Sequence, residues 1–344
     1  MLEISDLRVT VPGFTLDDIC LSIGSRDFFA VIGPTGSGKS LLLEALAGLV
    51  PVKKGRISLA GREITGTPPE YRGIGLVYQD YSLFPHMTVR SNLLFGVRYH
   101  RLDPDTVSRR LERLAARLGL THLLHRYPVR LSGGEKQRVA LGRVLMINPR
   151  AVLLDEPLAA LDPVFQEEIK ILLQELHREW QIPFIIVSHD FADVLYLADR
   201  GAVINKGRLM QQGEMEALFD RPESSFVAEF VGMKNVFDCR LEGRVAHVSG
   251  LTFNLAASAG NGRARLGIRP ESVRLVARPA EQYANKITGT IKHLASHGFF
   301  TMVKVDCGEI TLDAIWSRET VAAHRLEPGT RVTLGVHPER LHLF

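Results

Sequence analysis

With 344 residues, 45% of them hydrophobic and 23% charged, the chain has the balance of a soluble globular protein and is long enough for two domains, each with its own core. Its 42 basic and 38 acidic residues leave a net charge of only +4 with no block of one sign. No basic stripe with stacking aromatics is present, so a nucleic-acid module is not expected. Three cysteines, Cys20, Cys239 and Cys307, lack metal-ligand spacing and are odd in number; a reducing compartment is expected rather than a disulfide framework.

In chain order, the opening Met1–Asp6 carries no basic segment followed by an apolar run, so no signal peptide is expected. Phe28–Ile32 is a continuous apolar run, read as a strand buried on both faces, and it leads into Gly33-Pro34-Thr35-Gly36-Ser37-Gly38-Lys39-Ser40. Those eight residues match the phosphate-binding G-x-x-x-x-G-K-[ST] pattern at every fixed position. Backbone N–H groups of Gly36 to Ser40 would cradle phosphates, Lys39 would supply a point charge to the β- and γ-phosphates, and the Ser40 hydroxyl would reach Mg²⁺. Leu41–Val50 contains Glu44 and reads as a buried helix; no apolar run approaches the ~18 residues that span a bilayer. A membrane role would therefore come through a partner.

Three further apolar runs end in chemistry. Ile74–Tyr78 leads into Gln79, Ala151–Leu154 into Asp155-Glu156, and Phe184–Val187 into Ser188-His189. Open α/β sheets bind ligands at the carboxyl ends of parallel strands, so the four endings are expected at one crevice. Asp155 at a buried strand end is costly unless compensated, and a Mg²⁺ shell would compensate it. Glu156 points elsewhere on an extended chain and can polarise water. Between Gln79 and Asp155, Asp105 to Leu118 spaces Val107, Leu111, Leu114 and Leu118 on one helical face, with Pro104 suited to its start and Gly119 to its end. Leu131-Ser132-Gly133-Gly134-Glu135-Lys136-Gln137 opens another helix, where Ser132, Gly133 and Gly134 form a second anion-binding start.

After about Gly232, strand and turn signals take over. Gly267–Leu275 recurs as Gly335–Leu343, sharing Gly, Pro, Glu and the last Leu. A small β-barrel built from paired segments that cannot close alone is expected.

The P-loop together with Leu131–Gln137 resembles the ATP-binding-cassette (ABC) ATPases. The resemblance implies an α/β P-loop NTPase domain over residues 1–232, with a helical subdomain at about 80–135, followed by an all-β, OB-like barrel domain of TOBE/Mop type at 233–344. It implies ATP and Mg²⁺ as cofactors, held by Gly33, Pro34, Thr35, Gly36, Ser37, Gly38, Lys39 and Ser40, with Ser40, Gln79 and Asp155 toward the metal. It makes Glu156 the catalytic base, Gln79 the sensor of Mg²⁺ and water, and His189 the γ-phosphate switch. It also implies an ATP-sandwich homodimer, in which Ser132, Gly133 and Gly134 of one copy close over the ATP of the other. Asp162 would cross that interface, in a loop where Ala159 replaces the family's usual serine. Phe14 is either the adenine-stacking ring or a core residue. Tyr81–Met87 either docks a short helix of a membrane subunit or fills the subdomain core.

Over its full length the chain resembles importer ATPases of the molybdate/tungstate type, on Thr67–Gly75 and Val303–Gly308. The implied role is ATP hydrolysis for uptake of such an oxyanion at the cytoplasmic face of the cell membrane, with integral permease subunits and, indirectly, a solute-binding protein. Sulfate, iron, polyamine or sugar import, or a soluble non-transport cassette, are the alternatives; a P-loop kinase would leave Leu131–Gln137 and His189 unexplained. The oxyanion-holding Ser-x-Arg-Asn and Lys-Ala-Ser segments of related β-domains stand here as Gln282–Asn285 and His337–Glu339, so the β-domain is expected either to be structural or to read something else.

Overall fold

The computed structural model describes residues 1–99, 103–277 and 282–344. Two antiparallel strands, β1 (Leu2–Val11) and β2 (Phe14–Ile23), reverse at Pro12-Gly13, where Gly13 takes a φ of 80° that a side chain would resist. Then come β3 (Phe28–Ile32), α1 (Lys39–Ala47), β4 (Lys54–Leu59), β5 (Arg62–Glu63) and β6 (Ile74–Val77). The helical segment contributes α2 (Val89–Leu94), α3 (Pro104–Arg117) and α4 (Gly133–Met146). The chain returns through β7 (Ala151–Asp155), α5 (Pro163–Trp180), β8 (Phe184–Ser188), α6 (Phe191–Leu197), β9 (Arg200–Asn205) and β10 (Arg208–Glu214).

The central sheet has the order β10-β9-β3-β8-β7-β6. Strands β6, β7, β8, β3 and β9 run parallel, and β10 joins the edge antiparallel to β9. Every residue of β3 and β8 is buried, as their unbroken apolar runs require of strands covered on both faces. Register aligns Val77 with Leu154, Asp155 with Val187, and Ile32 with Ser188, so the four expected strand ends share one edge. A second sheet, β2-β1-β4-β5, packs its alternate apolar residues into the same core.

In the helical segment, α3 starts at Pro104, and the Asp103 side chain caps it by accepting from the Thr106 N–H at 2.9 Å. Gly119 follows the helix with a φ of 67°. Helix α4 begins with a full capping box: the Ser132 hydroxyl accepts from the Glu135 N–H, and the Glu135 carboxylate accepts from the Ser132 N–H at 2.7 Å.

By packing, the first unit ends at Leu218 and the second runs from Phe219 to Phe344. The expected cassette limit at Gly232 lies later than this division. The reason is the intervening chain: Arg269 donates to the carbonyls of Phe219 and Val231, and Arg265 donates to the Ser225 hydroxyl. The second unit contains α7 (Met215–Asp220, shared with the end of the first), α8 (Ser225–Phe230), β11 (Asn235–Glu242), β12 (Val245–Val248), β13 (Leu251–Asn254) and β14 (Asn261–Ile268). It continues with β15 (Arg274–Leu275), β16 (Asn285–His297), β17 (Phe300–Asp306), β18 (Thr311–Ser317), α9 (Arg318–Ala323), β19 (Arg331–Val336) and β20 (Leu341–Leu343).

Two antiparallel sheets, β13-β12-β11-β14-β20 and β15-β19-β16-β17-β18, close on one apolar core as an OB-like barrel. The sequence repeat explains the connection. After β14, a 3-10 turn at Pro270–Ser272 sends β15 onto β19; after β19, the matching turn at Pro338–Arg340 sends β20 onto β14. Each half thus supplies the last strand of the other's sheet.

Candidate functional site

The site begins with backbone geometry. Between β3 and α1, Gly36 and Gly38 adopt φ of 77° and 103°, in the left-handed region that glycine alone enters freely. A β-carbon on Gly33 would strike the Ile204 carbonyl, and one on Gly38 would lie 2.8 Å from the Phe14 ring. The loop is therefore both turned and crowded from behind, while nothing lies within 4 Å of a β-carbon built on Gly36. Lys39, the first residue of α1, is buried, and its ammonium donates to the carbonyls of Gly33 at 2.9 Å and Pro34 at 3.0 Å. Burial pulls the Lys39 amine below its usual range, and the nearby Glu156 and Asp155 carboxylates oppose that.

Opposite this loop, the Ser40 hydroxyl donates to Asp155 Oδ1 at 3.1 Å. Burial is the main cause that raises the Asp155 carboxyl; the Ser40 hydrogen bond opposes it, the Glu156 and Glu44 charges add to it, and Lys39 opposes it. Two hard oxygen donors that already converge suit Mg²⁺. Glu156 follows at φ 44°, its N–H held by the Val187 carbonyl at 3.0 Å, and this left-handed residue swings its side chain away from Asp155. There Glu156 Oε2 lies 3.0 Å from His189 Nδ1. The two residues edge a cleft of about 130 Å³ that continues past Pro157, Ala159 and Ser188.

The structure thus brings Gly33–Ser40, Asp155, Glu156 and His189 together. Phe14, at the start of β2, sits against Gly38 and Gly207 while also packing on the core. Gln79 is exposed just beyond β6 and makes no side-chain hydrogen bond that joins it to Asp155 or Glu156. Ser132, Gly133 and Gly134 lie at the start of α4, and Asp162 caps α5 with its side chain free of a capping bond. The Leu131–Gln137 signature and the Asp162 loop touch one another: a β-carbon on Gly133 would sit 3.1 Å from Leu161, and one on Gly134 would sit 3.4 Å from Phe165.

Sequence reasoning missed three residues. Glu44 adds negative charge beside Asp155, and its signal was its isolation in an apolar helix. Asn92 is fully buried and ties the Phe84 N–H and the carbonyls of Phe84, Met87 and Thr88. Arg143 stands alone in the apolar end of α4, which marks it, and it donates to the carbonyls of Ser82 at 2.6 Å and Tyr81 at 3.1 Å.

Residues 16–159 match the ABC transporter family model, and residues 266–344 match the TOBE domain model. The chain is 34% identical over 345 residues to the molybdate/tungstate import ATP-binding protein WtpC of Pyrococcus abyssi, covering 100% of both. It is 41% identical over 233 residues to the sulfate/thiosulfate import ATP-binding protein CysA of Nocardia farcinica, covering 67% and 70%. It is 34% identical to the sn-glycerol-3-phosphate import ATP-binding protein UgpC of Chromobacterium violaceum, covering 100% and 94%. Among solved structures, a nucleotide-free cassette of an ABC transporter aligns with a TM-score of 0.60 at 27% identity, covering 67% of this chain and 98% of that one. A dimeric post-hydrolysis cassette, MJ0796 bound to ADP and phosphate, aligns at 0.56 and 25%, covering 62% and 99%. With the nucleotide loop, the strand-end acids and the C-terminal barrel matched in one chain, the protein belongs to the ABC transporter family, as an import ATPase.

Proposed function

We propose that this chain hydrolyses ATP as a homodimer on the cytoplasmic face of the cell membrane, energising uptake of an oxyanion of the molybdate or tungstate type. The cargo reading is carried by the end-to-end likeness to a molybdate/tungstate import protein, β-domain included. The dimer reading is supported by the dimeric MJ0796 cassette. Among the described residues no helix is long and apolar enough to cross a membrane. Transport therefore needs integral permease subunits, to which a solute-binding protein would deliver the cargo.

In this reading the triphosphate lies on the N–H groups of Gly36 to Ser40, and Lys39 turns from the Gly33 and Pro34 carbonyls to the phosphates. Mg²⁺ would be held by Ser40 and Asp155 with Gln79 near, where it would neutralise phosphate charge and fix its orientation. Glu156 accepts a proton from the attacking water as the new bond to the γ-phosphorus forms and the bond to the β–γ bridging oxygen breaks. The products are ADP and inorganic phosphate. His189, 3.0 Å from Glu156, keeps that carboxylate aimed. Ser132, Gly133 and Gly134 of the second copy complete the enclosure.

The docking face for the permease is the segment Tyr81–Met87. There Phe84 packs on Phe95 with ring centroids 4.2 Å apart, and Phe95 meets Tyr99 at 6.0 Å. An adjacent apolar cleft of about 370 Å³ lies between Leu94 and Val97 on one side and Val107 and Leu111 on the other, wide enough for side chains of a short helix.

The test is ATP hydrolysis by the chain reconstituted with its permease and binding protein in vesicles. Molybdate or tungstate should stimulate phosphate release and accumulate inside, and sulfate, a phosphate ester and spermidine should not. Stimulation by one of the latter alone would refute the cargo assignment. Failure to associate with solubilised membranes would refute the transport role.

A further inference from the structure

The Gln79 loop and the signature helix are joined by contacts that the catalytic reading leaves unused. Tyr81 and Ser82 hold φ of 65° and 43°, two successive left-handed non-glycine residues, a conformation that persists only when its surroundings impose it. Arg143, ten residues into α4, imposes it: its guanidinium binds the carbonyls of both residues and lies 5.5 Å from the Phe84 ring. From the other side, Asn92 holds the backbone from Phe84 to Thr88 through four hydrogen bonds. The segment that carries Phe84 is thus fixed at both ends.

The turned backbone sends the Tyr81 ring toward the start of α4. Its hydroxyl lies 3.5 Å from where a β-carbon of Gly133 would stand, beside Leu161 of the Asp162 loop. That hydroxyl is buried without a hydrogen-bond partner, and so are both amide atoms of Gln137, one helical turn beyond Gly133. Buried polar atoms left unpaired disfavour the arrangement that strands them, so this contact is a place where a second arrangement gains.

We propose that Tyr81, held by Arg143, is a positioning residue that carries displacement of the Phe84 segment to Gly133 and so sets the approach of the signature to the partner's ATP. This rests on the reading that Ser132–Gly134 act across a dimer. Glycine at 133 leaves room for the phenol, and Leu161 brings the Asp162 loop into the same contact. The signature helix, the docking segment and the Asp162 loop therefore meet at one contact.

The experiment uses the full-length chain carrying Glu156→Gln, with ATP-driven dimerisation followed by gel filtration and monomer nucleotide affinity by fluorescent-ATP titration. Tyr81→Ala and Arg143→Ala should each weaken dimerisation about tenfold, the scale of coupling between contacting residues, with monomer affinity held within about twofold. Their double variant should be no worse than the poorer single one. Tyr81→Phe keeps the ring on Gly133 but removes the hydroxyl that a second arrangement would pair, and should weaken dimerisation less than Tyr81→Ala does. If Arg143→Ala misfolds, Arg143→Lys keeps the charge but cannot span two carbonyls, and should show the same loss to a lesser degree. Unchanged dimerisation, additive losses, or a matching fall in monomer affinity would overturn the proposal. Gly134→Asp separates the two readings. If it blocks dimerisation while the Tyr81 variants do not, only the positioning role fails; if it does not block, the cross-dimer reading fails and the proposal with it.

Discussion

Replacing Glu156 with Gln isolates one proton transfer from everything else the site does. Glutamine has nearly the same volume, tolerates the φ of 44° no worse than glutamate does, and can still hydrogen-bond His189 across the observed 3.0 Å. The Ser40–Asp155 and Lys39–Gly33 contacts lie outside the change, so nucleotide binding has no reason to weaken. What disappears is the group that takes the proton from water. A positioned general base contributes about 10²–10⁴-fold, which converts to about 2.7–5.4 kcal/mol at about 1.36 kcal/mol per decade. Turnover measured by phosphate release should fall by that factor, and the ATP concentration at half-saturation should stay within about threefold, since uniform binding is untouched. With hydrolysis stalled, gel filtration in ATP should show a lasting dimer. Turnover within about tenfold of the parent would refute the assignment of Glu156 as base.

Gly134→Asp places a carboxylate where the partner's phosphate should come and against the Phe165 ring, so dimerisation should be lost while ATP still binds the monomer; Lys39→Ala should fail a step earlier, at ATP binding by the monomer. Phe14→Ala should raise the half-saturating ATP concentration by about tenfold, the scale of one base–aromatic stack, and Phe14→Tyr should restore it; a loss of thermal stability with unchanged saturation would place Phe14 in the core alone. Phe84→Asp should depress transport by the reconstituted complex far more than basal ATP hydrolysis, and equal losses would mean that Phe84 only packs. Asn285→Ala orphans the Asn254 N–H and the carbonyls of Asn254 and Val336, at about 1–3 kcal/mol for each unpaired group. Chemical denaturation should show the second unit melting earlier with ATP turnover unchanged, and a drop in turnover would contradict this division of labour.

The parts legible in the sequence are those where chemistry dictates residue type position by position. Gly36 and Gly38 had to be glycine because the loop turns left-handed there, and Lys39 and Ser40 follow at fixed offsets because α1 starts on them. Unbroken apolar runs announced the parallel strands, because burial on both faces leaves no room for alternation. What stayed hidden depends on register. His189 meets Glu156 only because β7 and β8 pair with Asp155 beside Val187, an alignment that no local pattern encodes. The partners of Arg143 and Asn92 were hidden for another reason: each side chain works through backbone carbonyls, which every residue possesses and which leave no trace in the sequence. The sheet of β1, β2, β4 and β5 went unread because register shifts in the pairing of β1 break its apolar alternation.

The repeat in the second unit was visible as a pattern, and its consequence follows from two buried asparagines. Asn235 donates to the Ile268 and Asp313 carbonyls and accepts from the Asp313 N–H; Asn285 donates to the Val336 and Asn254 carbonyls and accepts from the Asn254 N–H. Ile268 and Val336 occupy the same place in the two copies of the repeat, so each asparagine stitches its own half to a strand of the other. The two halves then diverge at the next residue. Arg269 is buried over the Phe219 ring and anchors the chain entering the domain, whereas His337 lies on the Tyr283 ring with centroids 4.6 Å apart. Segment Gln282–Asn285 is where the sequence resemblance places the oxyanion-holding strip of related domains. Here its asparagine spends both amide hydrogens on strand carbonyls, and its neighbour Tyr283 crowds Gly335. Drawing Asn285 away would break bonds to both strands it joins, so the duplicated clamps are what hold the two halves of the barrel together.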